Sequence, residues 1–181
     1  MRLRPARVSD LPALLALERE FPGDRLSARS FRHLLARANA DVWVCEEHGA
    51  LLGDAVVLRR RGTRTARLYS LVVARSGRGR GLGQALVAHA ERRAVSAGCE
   101  AMRLEVRPDN VPALALYARR GYEVVGRTEG YYEDGADALR LKKRLGRGHP
   151  SRRFAASARA PGRTPASAGR PRADSRAAPR G

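Results

Sequence analysis

A glycine-rich run with interspersed arginine, residues 77–83, has the composition best suited to chemistry in this chain. The apolar stretch Leu71, Val72 and Val73 precedes it as the end of a predicted strand, and a helical pattern begins at about Gly83. Glycine lets backbone N–H groups approach one another closely, and the start of a helix adds partial positive charge. The run therefore predicts a binding site for an anion such as phosphate.

Two common phosphate-binding motifs do not fit this run. A dinucleotide fingerprint, G-x-G-x-x-G, fails because its third glycine would fall on Leu82 or, in the alternative register, on Gln84. A P-loop would need Gly-Lys-Ser or Gly-Lys-Thr at its end, and neither is present. What the run does contain is Arg78-x-x-Gly81-x-Gly83. An Arg-Gly box that binds RNA is the alternative, although the flanking strand and helix patterns disfavour it.

A second informative segment lies one predicted strand and one predicted helix further on. It reads Leu104-Glu-Val-Arg-Pro-Asp-Asn-Val-Pro-Ala-Leu-Ala-Leu-Tyr117, and Gly121-Tyr122 follows four residues later. The glycine run resembles the Q/R-x-x-G-x-G/A motif with which GNAT (Gcn5-related N-acetyltransferase) proteins hold the pyrophosphate of coenzyme A. The second segment resembles that of the RimI-like protein N-α-acetyltransferases within this family. The resemblance spans about residues 1–145 and is strongest over residues 68–132.

The resemblance implies a fold, a co-substrate and its binding residues. The fold would be α/β (α+β), with a mixed central sheet of about seven strands flanked by about four helices. Acetyl-CoA would be the co-substrate, and no metal would be needed. Its pantetheine arm would pair with the backbone of Leu71, Val72 and Val73, where the strand splays from the next one, and would hydrogen-bond Asn110, which could also cap a helix. Its phosphates would lie on Arg78, Gly79, Arg80, Gly81, Leu82, Gly83 and Gln84.

The resemblance also implies two catalytic residues. Glu105 would be the general base that removes a proton from the acceptor ammonium, and Tyr117 would return a proton to the departing thiolate. Glu105 could instead be a strand-face carboxylate paired with Arg103 or Arg107. Tyr117 could be a core aromatic, because Leu114 lies three residues before it on the same predicted helix.

The acceptor is less well defined by the sequence. The RimI-like resemblance implies a protein or peptide N-terminal α-amine, whereas a small amine such as a polyamine or aminoglycoside stays open. The segment Tyr131–Asp137 resembles the tyrosine-bearing hairpin that borders the acceptor site, and its three carboxylates could attract a cationic acceptor or simply form a polar hairpin tip. Two rivals are an arginine-driven nucleic-acid-binding protein and a domain that senses acyl-CoA without turnover.

Hydrophobic periodicity and turn signals predict the elements that position these residues. Ser9 is expected to cap the first helix, which ends before Phe21-Pro22-Gly23-Asp24, and His48-Gly49 is expected to form a hairpin turn. Strands are predicted at residues 3–8, 42–46, 51–58, 68–73, 101–106, 122–126 and 138–145. Helices are predicted from Ser9 through Leu17, and at residues 27–38, 83–96 and 112–120.

Composition bounds the remaining possibilities. The 181 residues carry a net charge of +18, and 43% of them are hydrophobic, which suffices for one domain with a core. No apolar run is long enough for a membrane helix, and the N-terminus lacks a signal-peptide pattern, so the cytoplasm is the expected location. The two cysteines, Cys45 and Cys99, are expected to be small buried side chains rather than a disulfide.

The chain changes character at its C-terminal end. Residues 146–181 contain nine Arg and one Asp among Ala, Ser, Pro and Gly, with Phe154 as the single large apolar residue. Such a segment cannot bury enough apolar surface to offset its chain entropy, so we expect a disordered tail after a domain of residues 1–145. Its charge could support a weak contact with RNA or ribosomes, or be incidental.

Overall fold

The computed structural model of the protein describes residues 1–21 and 25–146, which form one seven-stranded mixed sheet with helices on both faces. The strands are β1 Arg2–Pro5, β2 Ala40–Glu47, β3 Ala50–Leu58, β4 Thr65–Val73, β5 Ala101–Val106, β6 Glu123–Thr128 and β7 Ala138–Arg144. Their order in the sheet is β1-β2-β3-β4-β5-β7-β6. All neighbours are antiparallel except β4 and β5, which are parallel. The predicted fold class and strand number are confirmed.

Four helices cover the sheet: α1 Leu11–Arg19, α2 Ala28–Ala36, α3 Leu82–Ser96 and α4 Val111–Arg119. On one face, α1 and α2 pack on β2 and β3 around Phe31, Leu14 and Val56, which are fully buried. On the other face, α3 and α4 close a larger core that includes Leu86 and Met102. Burial of this apolar surface is the main force that holds the two helix layers onto the sheet.

The turns between the elements contain residues with positive φ at the positions where the sequence predicts turns. His48 and Gly49 both have positive φ, 49° and 80°, and join β2 to β3 in the expected hairpin. Gly98 and Gly121 follow α3 and α4 with φ of 82° and 83°, in the left-handed region that ends helices. Cys45 and Cys99 are free and buried, as expected.

One predicted cap is wrong. Ser9 does not cap α1, because it lies inside a single 3₁₀ turn, Val8–Asp10, that precedes the helix. Asp10 occupies the position before Leu11, where its carboxylate accepts the backbone N–H of Arg7 at 2.7 Å and pairs with Arg4. The extra turn also shortens β1, which ends at Pro5 rather than Val8. By contrast, Ser27 does cap α2, accepting the backbone N–H of Ser30 at 3.1 Å.

Two predictions fall wholly or mainly outside the described part of the chain. The predicted break at residues 21–24 is described only at Phe21, and the predicted tail, residues 146–181, only at Gly146. Among the helices that are described, none is long and apolar enough to cross a membrane.

Candidate active site

The parallel pair β4 and β5 opens into a cleft. The two strands pair at only three positions, from Thr65 with Ala101 to Arg67 with Arg103. β4 continues to Val73 and β5 to Val106 without further pairing between them. Beyond Arg67, the facing edges therefore present backbone N–H and C=O groups that the sheet ladder does not satisfy. The splay expected at Leu71–Val73 is present.

A β-bulge deforms β4 just where it leaves β5. Leu68 pairs with Val57 and Ser70 with Val56, so Tyr69 has no partner on β3. A bulge adds one residue to its strand and increases the local twist, which turns the strand away from its neighbour. Sequence patterning missed this feature because a bulge leaves no fixed residue signature in a strand of mixed side chains.

The glycine-rich turn that follows β4 forms an open cradle at the start of α3. Gly79 and Gly81 have φ of 73° and 76°, and nothing lies within 4 Å of where a Cβ would stand at either residue. Gly81 is the residue immediately before α3, whose first backbone N–H groups have no partner within the helix. Space, free N–H groups and the helix dipole together fit a phosphate.

Gly77 is constrained by packing instead. A Cβ on Gly77 would stand 2.7 Å from Leu82 Cδ1 and 3.3 Å from the backbone oxygen of Leu52, so a larger residue there would require a shift. A Cβ on Gly83 would make only an ordinary contact, at 3.5 Å from Leu116 Cδ2. Gly79 and Gly81 therefore shape the open cradle, and Gly77 lets the turn lie close to β3.

Both arginines of the cradle contact other parts of the protein. The guanidinium carbon of Arg78 lies 5.1 Å from the ring centroid of Phe21, and Arg80 Nη2 donates to Glu47 Oε2 at 2.6 Å. The end of α1 also reaches this region, because Glu20 accepts the backbone N–H of Arg75 at 2.7 Å. The region at the end of α1 therefore contacts the glycine cradle twice, through Phe21 with Arg78 and through Glu20 with Arg75.

Asn110 stands at the other wall of the cleft, before α4. Its side-chain oxygen accepts the backbone N–H of Ala113 at 3.2 Å, so it caps α4. The capping alternative is therefore realised, and a further contact of Asn110 with a pantetheine arm stays a prediction.

Glu105 is positioned on β5 with its side chain only 9% exposed. Its Oε2 accepts a hydrogen bond from Arg67 Nε at 2.8 Å, and its Oε1 accepts one from Arg103 Nη1 at 2.5 Å. The alternative of a pairing with Arg103 is thus also realised, whereas Arg107 pairs with Asp134 at 2.9 Å instead. A carboxylate oxygen has room for a second hydrogen bond, so both oxygens can still accept from a water or an amine.

Arg67 is a site residue that the sequence did not indicate. Besides binding Glu105, its Nη2 donates to the hydroxyl of Tyr131 at 2.5 Å, and its guanidinium carbon lies 5.2 Å from the ring centroid of Tyr69. Arg67 thereby connects β4, β5 and the loop between β6 and β7. The predicted strand began at Leu68, one residue too late to show that Arg67 alternates with buried Ala66 and Leu68.

Tyr117 lies on α4 and is 6% exposed. Its ring meets that of Tyr122 edge to face, with centroids 5.6 Å apart, so the core-aromatic alternative describes its packing. Burial, and to a smaller degree Tyr132, raises the pKa of the phenol above its ordinary value. Tyr117 therefore keeps its proton throughout the neutral range, which a proton donor requires.

Two of the carboxylates in the loop between β6 and β7 pair with arginines outside the loop. Asp134 pairs with Arg107 at 2.9 Å, and Asp137 pairs with Arg127 at 2.6 Å. Asp137 also accepts the backbone N–H of Gly130 at 2.9 Å. These ion pairs join the loop to β6 and to the residue that follows β5, and arginine compensates the charge of both acids. Within residues 1–21 and 25–146, no group of three or more metal-ligating side chains is placed to hold a metal ion.

A strand that parts from its parallel neighbour beside a glycine cradle is an arrangement suited to an extended, phosphate-bearing co-substrate, as in an acyl-CoA-dependent transferase. The model of the Acetyltransferase (GNAT) family matches residues 10–122. The chain belongs to the GNAT family and is an acetyltransferase of this type. The family generally uses acetyl-CoA as the acetyl donor.

Similar proteins include N-α-acetyltransferases. The chain is 32% identical over 134 residues to the N-alpha-acetyltransferase MAK3 of Arabidopsis thaliana, covering 73% of this chain and 70% of that protein. It is 31% identical over 132 residues to the peptidyl-lysine N-acetyltransferase YiaC of Escherichia coli K12, covering 68% and 84%. Its fold resembles that of the ribosomal-protein-S18-alanine N-acetyltransferase of Escherichia coli, with a TM-score of 0.72, 23% identity, and coverage of 84% and 99%.

Proposed function

We propose that this protein transfers the acetyl group of acetyl-CoA to the N-terminal α-amine of a protein or peptide, by direct attack in a ternary complex. The observation that carries the proposal is the parting of β4 and β5 after Arg67 and Arg103, directly before the glycine cradle. The names of the Arabidopsis MAK3 relative and of the Escherichia coli S18-alanine enzyme support a polypeptide terminus as the acceptor.

The cradle and the cleft would hold the two ends of the co-substrate. The backbone N–H groups at Gly81–Gln84, with Arg78 and Arg80, would bind the phosphates. The unpaired edge of β4 at residues 71–73 would pair with the pantetheine arm as an added strand, and Asn110 would contact it from the opposite wall. When bound, acetyl-CoA supplies the acetyl group as a thioester.

Glu105 and Tyr117 lie on opposite sides of the sheet around this cleft. Leu104 and Val106 are buried against α3 and α4, so Glu105 faces the other side, whereas Tyr117 belongs to the α3–α4 side. The amine would approach from the Glu105 side, and Glu105 would take its proton, directly or through a water. The amine nitrogen then bonds to the carbonyl carbon, the carbon–sulfur bond breaks, and Tyr117 protonates the departing sulfur.

The test measures release of free thiol from acetyl-CoA with four acceptors: an N-terminal peptide, the same peptide with a blocked terminus and an internal lysine, spermidine, and an aminoglycoside. We expect turnover with the free terminus alone, because a neutral α-amine forms more readily than the amine of lysine. Mass spectrometry of the product would place the acetyl group on the terminal nitrogen.

Each other result rejects a defined part of the proposal. Turnover only with spermidine or the aminoglycoside would reject the polypeptide acceptor. Coenzyme A binding without turnover would indicate a sensor. Salt-sensitive RNA binding with no thermal response to coenzyme A would indicate a nucleic-acid-binding protein.

A further inference from the structure

The face of the sheet that carries Glu105 changes character between β4 and β5. In the half of this face formed by β1 to β4, α1 and α2 cover β2 and β3 with an apolar core. In the half formed by β5, β7 and β6, the side chains of Arg140, Lys142 and Arg144 on β7 are exposed. They share the face of Glu105 because Leu139, Leu141 and buried Leu104 pack on the opposite, α3–α4 side. The half-sheet β5-β7-β6 therefore presents a charged face.

The three residues occupy alternate positions of β7, and the first of them lies opposite the candidate base. Arg140 is the register partner of Glu105 and Lys142 that of Arg103, and Arg144 follows opposite Ala101. Alternate residues of an antiparallel strand stand about 6.8 Å apart, and neighbouring strands about 4.8 Å apart. We name Arg140, Lys142 and Arg144 the β7 row.

The positive charges of the β7 row are not compensated by ion pairs in the described structure. None of its three side chains has an ion pair or hydrogen bond among residues 1–21 and 25–146. On the same face, Glu105 is already compensated by Arg67 and Arg103. Glu123, the register partner of Lys142, also faces the row, and within residues 1–21 and 25–146 it does not pair with Lys142. The face therefore carries a clear excess of positive charge.

The surface beside the row contains a shallow depression. A depression of about 250 Å³ is lined by residues of β5, β6 and β7, among them Arg103, Glu105, Val125, Arg140 and Lys142. Gly126, the register partner of Arg140, leaves the space that the Arg140 guanidinium occupies, since a Cβ there would overlap it. Arg140 therefore lies across β6 at the end of the row nearest to Glu105.

We propose that the β7 row binds acidic side chains of the acceptor polypeptide, a few residues after its N-terminus. This inference rests on the proposed function. An extended chain whose amine lies at Glu105 and which runs along β7 places every second side chain toward the row, at the spacing of its cations. Carboxylates at the third and fifth positions suit this spacing, so the substrate class is proteins with acidic N-terminal segments.

The other occupants fit the row less well. A polyamine or an aminoglycoside is itself cationic, and the unpaired cations of the row would repel it. A nucleic acid would suit the charge, but it carries no aliphatic amine to place at Glu105, where the row begins. Charge complementarity together with this starting point favours an acidic polypeptide.

The test compares two peptides that differ only in having Asp or Asn at positions 3 and 5. With the wild-type protein at low salt, we expect the KM for the Asp peptide to be about five-fold lower, with kcat similar, because two exposed ion pairs contribute modestly. The difference should shrink toward unity at 0.5 M salt. The double variant Lys142→Gln, Arg144→Gln removes the two cations that lie opposite positions 3 and 5, and it should lose the preference while its KM for the Asn peptide stays unchanged.

A matched control is the double variant Arg92→Gln, Arg119→Gln. It removes two exposed cations from α3 and α4, on the opposite face, and should keep the preference for Asp. Equal KM values for the two peptides with the wild-type protein would overturn the inference. So would the same loss of preference in the control variant, which would reduce the effect to net charge.

Two further measurements distinguish failure of this inference from failure of the proposed function and from binding of a nucleic acid. Should no peptide be acetylated, the proposed function fails, and fluorescence anisotropy of labelled Asp and Asn peptides still tests the row by binding alone. A preference for Asp that the row variant abolishes would support the inference there too, and equal binding would overturn it. Tighter binding of a single-stranded oligonucleotide than of the Asp peptide, lost in the row variant, would assign the row to nucleic acid and overturn it.

Discussion

The two halves of the site are built from different material. The cleft between β4 and β5, together with the glycine cradle before α3, depends on the backbone: unpaired strand edges, left-handed glycines and the first N–H groups of a helix. The side around Glu105 depends on side chains: Arg67 and Arg103 donate hydrogen bonds to Glu105, and Arg67 also donates to the hydroxyl of Tyr131. Backbone groups recognise what all substrates of a family share, whereas side chains can change without loss of the fold. We therefore expect the first half to bind the donor and the second to select the acceptor.

The largest expected effect is that of Glu105→Gln on kcat, which tests whether catalysis depends on the side-chain half while donor binding depends on the backbone half. Glu105→Gln keeps the shape of the side chain but removes its ability to take a proton, so kcat should fall by about 10²- to 10³-fold. Coenzyme A affinity, measured by calorimetry, should stay within about two-fold of that of the wild type, because the cradle is untouched.

Glu123→Gln is the matched control for that variant. It removes the other carboxylate on the same face, on β6, and should leave kcat within about two-fold. Retained turnover in Glu105→Gln would remove Glu105 from the chemistry and leave it as a partner for Arg67 and Arg103.

A smaller effect is expected in the backbone-built half. Gly81→Val places a β-branched residue at φ 76°, a conformation that it adopts only under strain. The cradle should shift, and coenzyme A affinity should fall about ten-fold or more, because the N–H groups at the start of α3 no longer converge. Calorimetry measures the change directly.

Gly62→Val tests whether that loss is local. Gly62 has φ of 77° and an equally open surrounding, in the turn between β3 and β4. The two variants should lose similar thermal stability, but only Gly81→Val should lose coenzyme A affinity. An equal loss of affinity in both would mean that general destabilisation, rather than the cradle, is responsible.

The smallest expected effect is on stability, and it concerns a buried side chain, Asp54, next to the backbone-built half. Asp54, the register partner of Val72, is fully buried, and neither of its oxygens has a hydrogen-bond partner in the described structure. Burial, and then the charge of nearby Glu18, raises its pKa well above the ordinary value. The folded state therefore holds a proton that the unfolded state releases from about pH 4 upward, so this residue's contribution to stability falls as pH rises.

Asp54→Asn should remove that dependence. At pH 8 the variant should have a Tm at least about 3 °C above that of the wild type, which corresponds to about 1 kcal/mol in a domain of this size. The difference should narrow at pH 5, where the wild-type carboxyl is protonated. A Tm difference that does not depend on pH would show that Asp54 does not titrate in this range.

The sequence anticipated the backbone-built half far better than the side-chain half. Gly79 and Gly81 are readable because only glycine adopts their φ easily, and a strand before them and a helix after them complete the pattern. Arg67 and the β7 row were not readable, because they meet only through the pairing of β4, β5 and β7, which are far apart in the chain. The bulge at Tyr69 and the 3₁₀ turn at Ser9 were also missed, since both are decided by packing rather than by residue type.

The contact between Phe21 and Arg78 has a consequence for the affinity of the donor. Arg78 is expected to meet a phosphate, yet its guanidinium rests on an aromatic ring at the end of α1, beside the link from Glu20 to Arg75. Donor binding that draws Arg78 away must break that contact, so the donor's affinity includes the stacking energy of a residue on the α1 side. By reciprocity, a second substrate that rearranges the α1 end would change donor affinity by the same factor.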